Sequence, residues 1–542
     1  VEGNKAEHRA AAIANAWSKD TTQVILAYEG EPLDTVAGGG LDKILDRLAG
    51  EDPDFGMISL VRILYLSDRH DNYSYDDLIL PALEGFLYWP VQGEPVEYAY
   101  WSENHLIMWL STGYLLKQRQ GWEMDHLLED RLRHWLDLKI EYGFYEWNAP
   151  TYWAFTLSAL LNLADFAEDA DIRNQAETVA NRLLEEMLRL TNDRGVFFAV
   201  AGRGAYNKIS QPFNYFLSPV IHMLTELNDK PTVASIPSGF MATSDVSFEG
   251  VSAGWSSTEN MSYDFGHGIS DSVHAGFPRQ DRTFFQWSAG GYFHPDVADD
   301  TAYTSTYYDI DEIPELPIIL ANGGSSLAAT FSRSSVLSRA SFNTYKNKGV
   351  VLSSVEAYYG GYYGYQQYPW MATVDDLAVF TQSGEVLSDW DDRSDDNVNT
   401  HLPRVMQDEN VALIMYWPNT EISAAFDTDV ALHWKDADFD ETATHDRWVI
   451  GRRNDSYVAV YRNKAGTKNG WYYSTTTASE GGQYWGVVVG NAGTHGSFEN
   501  FVDIIEASSN ADSYTYDFSN FRWEYYARIT VDGKELKYTW KD

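Results

Sequence analysis

An asparagine and a histidine stand side by side at the start of a predicted helix. In the stretch 101–114, Ser102 suits an N-cap, and apolar residues recur at helical spacing from Leu106 onward. Asn104 and His105 therefore occupy the first turn, where the helix dipole lowers an imidazole pKa and favours a bound anion. This position suits a neutral histidine that works beside a carboxylate-bearing substrate, although polar residues at a helix start are more often simple caps.

Two further polar and aromatic segments, 145–152 and 202–208, lead into predicted helices. Helices joined by short connections run antiparallel, so alternate helices of the series point the same way. The three lead-in segments should therefore open at one end of the helical assembly and surround one cleft. They contribute Trp101, Glu103, Asn104, His105, Glu146, Trp147, Asn148, Tyr152, Arg203 and Tyr206.

This set of side chains suits β-elimination at a uronic acid. The C5 proton becomes acidic enough only when the neighbouring carboxylate is neutralised, which Asn104, Asn148 or Arg203 could do by hydrogen bonding. A base must then remove that proton while an acid protonates the departing glycosidic oxygen, and His105 with Tyr206 can divide or share these roles. A basic Tyr206 needs a nearby positive charge, which Arg203 can supply. No metal or organic cofactor is required.

The hydrophobic pattern of the sequence changes from helical periodicity to strand-like alternation after about residue 230. Before it, helical periodicity predicts helices at 5–19, 41–49, 55–69, 75–88, 103–118, 122–142, 151–169, 172–191 and 211–228. Beyond it, alternating Val, Thr, Tyr and Trp predict strands such as 283–287, 350–355 and 457–461, with an Asp-Gly turn at 532–533.

We therefore expect three regions. A helical domain covers 1–230 and a β-sandwich domain covers 231–430. A C-terminal β-sheet region, 431–542, either continues that sandwich or forms a smaller one.

Composition narrows the possible partners. Lys+Arg 39 against Asp+Glu 79 gives a net charge of -40, which argues against nucleic acid and against an anionic membrane surface. A local basic patch still permits an acidic substrate. The absence of cysteine excludes disulfides, thiolate metal sites and a cysteine nucleophile. The many aromatic residues, Trp 19, Tyr 36 and Phe 25, suit the stacking of sugar rings as well as large β-sandwich cores.

The sequence also bears on location. No apolar run approaches the ~20 residues of a membrane span, and no signal peptide is present at Val1. A start at valine is compatible with a processed N-terminus, and a strongly acidic surface suits a saline or extracellular setting. We expect a secreted or periplasmic protein, and the oligomeric state is left open.

The order of helices before sheets, the helix-borne Asn104-His105 pair and the segment Gly202–Tyr206 resemble the two-domain polysaccharide lyases. These include the chondroitin AC, hyaluronate, xanthan, alginate and heparinase-like lyases. The resemblance implies an α+β multidomain fold, with an N-terminal incomplete (α/α) toroid followed by a C-terminal antiparallel β-sandwich that closes over an acidic polysaccharide. It implies catalytic roles for Asn104, His105, Arg203 and Tyr206.

The β-half offers further candidates. Heparinase-like relatives can carry a structural zinc, and the segment with His267, His274, Arg279 and Asp281 could supply ligands for a divalent metal, although its spacing matches no familiar zinc pattern. The segments 366–370, with Gln367 and Trp370, and 401–404 either border the cleft or pack as loops.

Two other functions fit the same sequence. A glycoside hydrolase on the same helical scaffold would use Glu103 and Glu146 as general acid and base, and its product would carry no new double bond. A non-catalytic carbohydrate-binding protein would form no product at all. The lyase is favoured because the Asn104-His105 pair and the Arg203–Tyr206 segment suit elimination better than hydrolysis.

Overall fold

Helices build the N-terminal part of the protein and antiparallel sheets build most of the C-terminal part, as seen in a computed structural model. The structure describes residues 2–15, 19–123, 126–198, 200, 202, 211–213, 216–227, 234–256, 258–268, 271–290, 297–310, 339–356, 358, 360–361, 364–365, 367–384, 398–418, 428–464, 466, 472–474 and 482–541. Within these ranges, no helix has both the length and the apolar character needed to cross a bilayer.

Over the first 190 residues the helices follow the predicted segments, except that no predicted helix covers α2 (Lys19–Glu29). The described helices are α1 (Glu2–Asn15), α2 (Lys19–Glu29), α3 (Gly40–Asp46), α4 (Asp54–Ser67), α5 (Asp76–Leu83), α6 (Glu103–Gln120), α7 (His126–Tyr142), α8 (Tyr152–Phe166), α9 (Ala170–Arg189), α10 (Ser218–Thr225), α11 (Ile236–Ala242), α12 (Glu249–Gly254), α13 (Arg279–Ser288), α14 (Ala298–Tyr308), α15 (Ala492–His495) and α16 (Phe498–Glu506).

The helices α4, α6 and α8 run in the same direction. At one end, His105 in the first turn of α6 contacts Asp54 at the start of α4. At the other end, Arg119 of α6 pairs with Asp68, which directly follows α4. The first residues of α6 also contact Glu146, which lies shortly before α8. The predicted common direction of the helices at 103–118 and 151–169 is therefore confirmed.

Contacts between helices form a circuit. They run from α2 to α4, α6, α8 and α11, and α11 contacts α2 again. The side chain of Arg62 in α4 is fully buried inside this group and donates to Asp165 Oδ2 (2.8 Å), Thr243 Oγ1 (2.9 Å) and the carbonyl of Phe240 (3.0 Å). Such a buried guanidinium is tolerated because its donors are satisfied.

The helical core extends beyond the boundary expected near residue 230. Phe240 of α11 and Phe284 and Trp287 of α13 belong to the same buried cluster as the earlier helices. The prediction of a strand at 283–287 is wrong, because these residues lie in α13. A short apolar run has no periodicity that separates a buried helix from a buried strand, and here packing against the helical core decides the outcome.

Antiparallel pairing organises the second part. The described strands are β1 (Thr258–Gly266), β2 (Arg339–Asn347), β3 (Val350–Val355), β4 (Gly364–Tyr365), β5 (Trp370–Val374), β6 (Leu377–Val379), β7 (Thr381–Ser383), β8 (Val398–Asn399), β9 (Arg404–Asp408), β10 (Val411–Tyr416), β11 (Val430–Leu432), β12 (Glu441–His445), β13 (Trp448–Arg453), β14 (Ser456–Arg462), β15 (Tyr472–Ser474), β16 (Gln483–Asn491), β17 (Ser509–Asp517), β18 (Arg522–Val531) and β19 (Lys534–Lys541).

Two large sheets pack face to face. One has the order β1-β2-β3-β5-β6 and the other the order β12-β13-β14-β16-β10-β9. Because side chains alternate along a strand, Ala412 and Ile414 of β10 face the first sheet, whereas Leu413 faces a separate core formed with α16 and the sheet β17-β18-β19. The region after residue 430 thus supplies strands to the same sandwich, and Asp532-Gly533 forms the predicted turn between β18 and β19 with positive φ at both residues.

Three histidines lie where α7 meets the segment after β1. His134 Nε2 is 2.8 Å from His274 Nδ1, and the hydroxyl of Tyr145 is 2.5 Å from His267 Nε2. Burial lowers the pKa of His134 and of His267 to about 4, and lowers the pKa of His274 to about 2. The folded protein therefore keeps these rings neutral at pH values where the unfolded chain protonates them.

This junction should make the protein sensitive to acid. Each ring has a lowered pKa in the folded state, so its contribution to stability is present above an unfolded pKa of about 6.5 and is lost as the pH falls. For one such ring, the free energy of unfolding should fall by about 2 kcal/mol between about pH 7 and about pH 5. Denaturant unfolding at both pH values measures this loss. The loss of unfolding free energy should be smaller in His274→Gln than in the wild-type protein. In His445→Gln it should equal the wild-type loss, because the His445 side chain is exposed. Equal losses in the two variants would contradict the prediction.

Candidate functional site

A histidine and an aspartate form a dyad where α4 and α6 begin. His105 Nδ1 lies 2.6 Å from Asp54 Oδ2, and the carboxylate accepts the proton of that ring nitrogen. Ser102 caps α6 as predicted and accepts from the backbone N–H of His105 (3.3 Å). The Asp54 side chain is 1% exposed and that of His105 12% exposed. Asp54 therefore fixes the ring and leaves Nε2 as the nitrogen available for chemistry.

The charge around His105 reverses the expected effect on its pKa. Burial lowers the pKa, but the charge and hydrogen bond of Asp54, with the charges of Asp52 and Glu146, outweigh burial and raise it above its ordinary value. Burial likewise raises the Asp54 pKa, against the opposing effect of His105. The prediction of a lowered histidine pKa from the helix dipole is wrong, because a dipole effect of about 0.3–1 kcal/mol cannot match a carboxylate in direct contact.

Asn104 is buried and its amide is already engaged. Its amide is best oriented with the nitrogen toward Glu146, because the opposite orientation places the amide oxygen against the carboxylate. In that orientation the nitrogen donates to Ser102 Oγ (2.7 Å) and to the Glu146 carboxylate (3.0 and 3.2 Å). Its backbone N–H also donates to Glu146 Oε2 (3.3 Å). Asn104 therefore connects α6 to the segment before α8, and its amide N–H groups point at Glu146 rather than at a substrate carboxylate.

Glu103 holds the same segment from the other side of α6. Its carboxylate pairs with Lys139 of α7 and accepts the backbone N–H groups of Tyr145 (2.9 Å) and Glu146 (2.8 Å). The Glu103 side chain is 1% exposed and the Lys139 side chain is fully buried. Both Glu103 oxygens accept from buried donors, which suits a structural role better than that of a general acid or base.

Asn148 has two unpartnered polar atoms in this segment, where Trp147 Nε1 and Thr151 Oγ1 also lack a hydrogen-bond partner among the described residues. Its backbone adopts a left-handed conformation (φ 55°), its side chain is buried, and neither amide atom has a hydrogen-bond partner among the described residues. Leaving a buried polar group unpaired costs about 1–3 kcal/mol. Strain and unsatisfied polar groups of this kind concentrate at functional sites. Asn148 is therefore a candidate to bind a substrate carboxylate, on the condition that substrate binding opens the site, because its side chain is fully buried here.

The three aromatic residues predicted to contact substrate differ in burial. Trp101 is half-buried and lies parallel to Phe284, with ring centroids 6.4 Å apart. Trp147 is 4% exposed and meets Phe342 of β2 edge-on at 5.1 Å. Tyr152 is half-buried against the helical core. The Trp147 ring therefore joins the helices to the first sheet and is closed to a sugar arriving from solvent.

The sandwich-side candidates lie in the sheets. Trp370 is 1% exposed and its Nε1 donates to Thr381 Oγ1 (2.7 Å), while the carbonyl of the buried Gln367 accepts from Asn399 Nδ2 (2.6 Å). Arg203 and Tyr206 lie outside the described residues, so their predicted catalytic roles stay predictions.

The possible metal ligands of the β-half have separate partners. Arg279 pairs with Asp300, and Asp281 pairs with Arg131 (2.8 Å). His267 and His274 contact Tyr145 and His134, as described above. Among the described residues, the three groups that come close enough to share an ion are Asp52, Asp54 and His105, whose potential ligand atoms all lie within 4.8 Å of one another.

Sequence reasoning missed Asp52 and Asp54. They stand on either side of Pro53, directly before the predicted helix at 55–69. One predicted helix separates it from the helix at 103–118. Because alternate helices point the same way, its first residues should open at the same end as the other lead-in segments. Residues 50–54 contain none of the aromatic residues that mark the other lead-in segments.

Comparisons with known proteins find only remote likeness. No family model matches the sequence, and no curated protein matches it. Among solved structures, heparinase III is 10% identical with a TM-score of 0.30, covering 97% of this chain and 92% of that one. A GH127 β-arabinofuranosidase is 9% identical with a TM-score of 0.21, covering 99% and 84%. Heparan sulfate lyase HepC from Pedobacter heparinus is 8% identical with a TM-score of 0.18, covering 99% and 93%.

The buried Glu103–Lys139 pair should be essential for stability. Lys139→Met leaves a buried carboxylate without its cation, so we expect the free energy of unfolding to fall by about 3–5 kcal/mol. Adding Glu103→Gln should restore part of that loss, because the uncompensated charge is removed. Lys537→Met is the matched control, since Lys537 and Glu535 form an exposed pair worth about 0–1 kcal/mol. Equal denaturant midpoints for the two lysine variants would contradict the structural role of Glu103.

Proposed function

We propose that this protein is a polysaccharide lyase that cleaves a uronic-acid-containing polysaccharide by β-elimination. The observation that supports the proposal most is the His105–Asp54 dyad at the shared amino ends of α4 and α6. It presents the imidazole of His105, whose side chain is 12% exposed, near the segment that carries the unpartnered amide of Asn148. The circuit of contacts among α2, α4, α6, α8 and α11 is compatible with the incomplete (α/α) toroid that we propose as the scaffold.

In this mechanism His105 transfers the proton. Asp54 accepts a hydrogen bond from Nδ1–H, fixes the ring and stabilises the imidazolium that forms when Nε2 takes the C5 proton of the uronate. Asn148 donates a hydrogen bond to the substrate carboxylate and so acidifies C5. Tyr206 protonates the departing glycosidic oxygen and Arg203 adds positive charge at the carboxylate. The electron pair of the C5–H bond forms the new double bond as the glycosidic bond breaks.

The engaged carboxylates support elimination over hydrolysis. A glycosidase needs two carboxyl groups that flank the scissile bond and are free to exchange protons. Glu103 is neutralised by Lys139 and bound to two backbone N–H groups, while Glu146 accepts from Asn104. An enzyme of this kind would act on polysaccharide outside the cytoplasm, so we propose a secreted or periplasmic location.

The decisive assay measures new double bonds and new reducing ends together. Alginate, glucuronan, hyaluronan, chondroitin, heparan and ulvan are incubated with the protein, and an unsaturated uronate is detected by its ultraviolet absorbance. We expect one polymer to give both signals. His105→Ala should lower the rate by about 10²–10⁴-fold, as expected for loss of a proton-transfer group. His445→Ala, at an exposed position in the sheets, is the control.

The other outcomes are equally informative. Reducing ends without absorbance would reject the lyase in favour of a hydrolase. If neither absorbance nor reducing ends increase while the protein still binds a polymer, a carbohydrate-binding protein would be favoured. A lyase rate that survives His105→Ala would remove the dyad from the mechanism.

Asn148 offers a test that separates function from folding. Asn148→Gly removes the unpaired amide and relieves the left-handed backbone, so the free energy of unfolding should stay equal or rise by up to about 1 kcal/mol. The same change removes the proposed carboxylate donor, so kcat/KM should fall at least about tenfold, since a hydrogen bond to a charged group contributes about 1.5–3 kcal/mol. Thermal unfolding and initial rates on the cleaved polymer give both quantities. A destabilised variant with normal kcat/KM would show that Asn148 is structural.

A further inference from the structure

A gap between His105 and Asp52 is left unused by the proposed mechanism. His105 Nε2 and Asp52 Oδ1 face each other at 3.9 Å. This separation is too long for a hydrogen bond. It is slightly shorter than the sum of one Zn–N and one Zn–O bond, about 4.1 Å, so a single ion placed off the line between the two atoms can contact both.

Asp54 carries a further unsatisfied acceptor beside the same histidine. Asp54 Oδ2 accepts the Nδ1 proton of His105, but the other oxygen, Oδ1, is buried and has no hydrogen-bond partner among the described residues. The three residues each place a ligand atom within 4.8 Å of the others. A buried carboxylate that orients a histidine from Nδ1 while Nε2 faces an ion is the usual arrangement behind metal-binding histidines.

Charge and access are both suitable for a cation. Asp52, Asp54 and Glu146 all act electrostatically on His105, and each carries a carboxylate. The Asp52 side chain is 52% exposed, so an ion can enter from solvent, whereas Asp54 is 1% exposed and fixes the ring from behind. One imidazole nitrogen with carboxylate oxygens suits Zn²⁺ or Ni²⁺ better than Ca²⁺ or Mg²⁺, which prefer oxygen ligands alone.

We propose that His105 Nε2 and Asp52 bind a divalent transition-metal ion, with Asp54 as the supporting carboxylate. The ion occupies the nitrogen that transfers the proton in the proposed lyase reaction, so metal binding and turnover exclude each other. That consequence rests on the proposed function, whereas the binding of the ion does not.

Calorimetric titration of tag-free, chelator-treated protein with ZnCl₂ tests the binding directly. We expect one site whose affinity falls at least about tenfold in Asp52→Asn, a change at an exposed side chain that leaves folding intact. Glu506→Gln is the matched control, because Glu506 forms an exposed pair with His445 at 3.5 Å and should leave zinc affinity unchanged. CaCl₂ should bind far more weakly than ZnCl₂. Wild-type affinity in Asp52→Asn, or the absence of zinc binding to the wild-type protein, would overturn the proposal.

The activity assay separates this inference from the proposed function. Zinc should inhibit the wild-type lyase at the concentrations that fill the site, and Asp52→Asn should require at least about tenfold more. Zinc binding that depends on Asp52, in a protein that cleaves no polymer, would support the metal site and reject the lyase. A lyase that requires His105 but binds no zinc would do the reverse.

Discussion

The buried carboxylate of Glu103 is the constraint on which the candidate site depends. It lies in the first turn of α6, pairs with Lys139 of α7 and accepts two consecutive backbone N–H groups just ahead of α8. One side chain thus ties three elements together in a region closed to solvent. A charge is tolerated there because a cation and two backbone donors replace the lost hydration, and removing any one of them leaves the rest uncompensated.

From this anchor the geometry of the neighbouring residues follows. With the backbone of 145–146 fixed to α6, Glu146 meets the amide of Asn104, and Asn148 is held in its left-handed conformation. The sheets support the same segment from the other side, since Trp147 packs on Phe342. The carbonyl of Trp147 also accepts from the backbone N–H of Gly202 (2.8 Å). The amino ends of the helices are therefore held between a helical core and a sheet, which suits a site that must keep unpaired polar groups in place.

The sequence was most informative for features that depend only on hydrophobic periodicity and on short connections between antiparallel helices. Apart from α2, the helices through α9 and the common direction of α6 and α8 could be predicted because each depends on local pattern and short connections. The strand expected at 283–287 could not be separated from a helix, because Phe284 and Trp287 are buried by contacts made far away in the chain. For the site, residue type and position placed Asn104, His105 and Asn148 together in one region. Their individual roles depended on partners such as Glu146 and Asp54, which no local pattern reveals.

Asn104 and Asn148 differ in their hydrogen-bond partners, and this difference shows why residue type alone does not assign a role at the site. Asn104 lies in the first turn of α6 and Asn148 lies shortly before α8, and their amides have the same chemistry, so either could neutralise a substrate carboxylate. Glu146 engages the first, and the second has no described partner. A buried amide that donates to a carboxylate already has its hydrogen bonds within the fold. An unpaired buried amide gains more from a ligand, because the folded protein already bears the cost of its desolvation and binding supplies the missing hydrogen bonds. The same argument applies to the dyad. Asp54 pairs with Nδ1 of His105, so Nε2 is left to bind a proton or a cation that arrives from solvent.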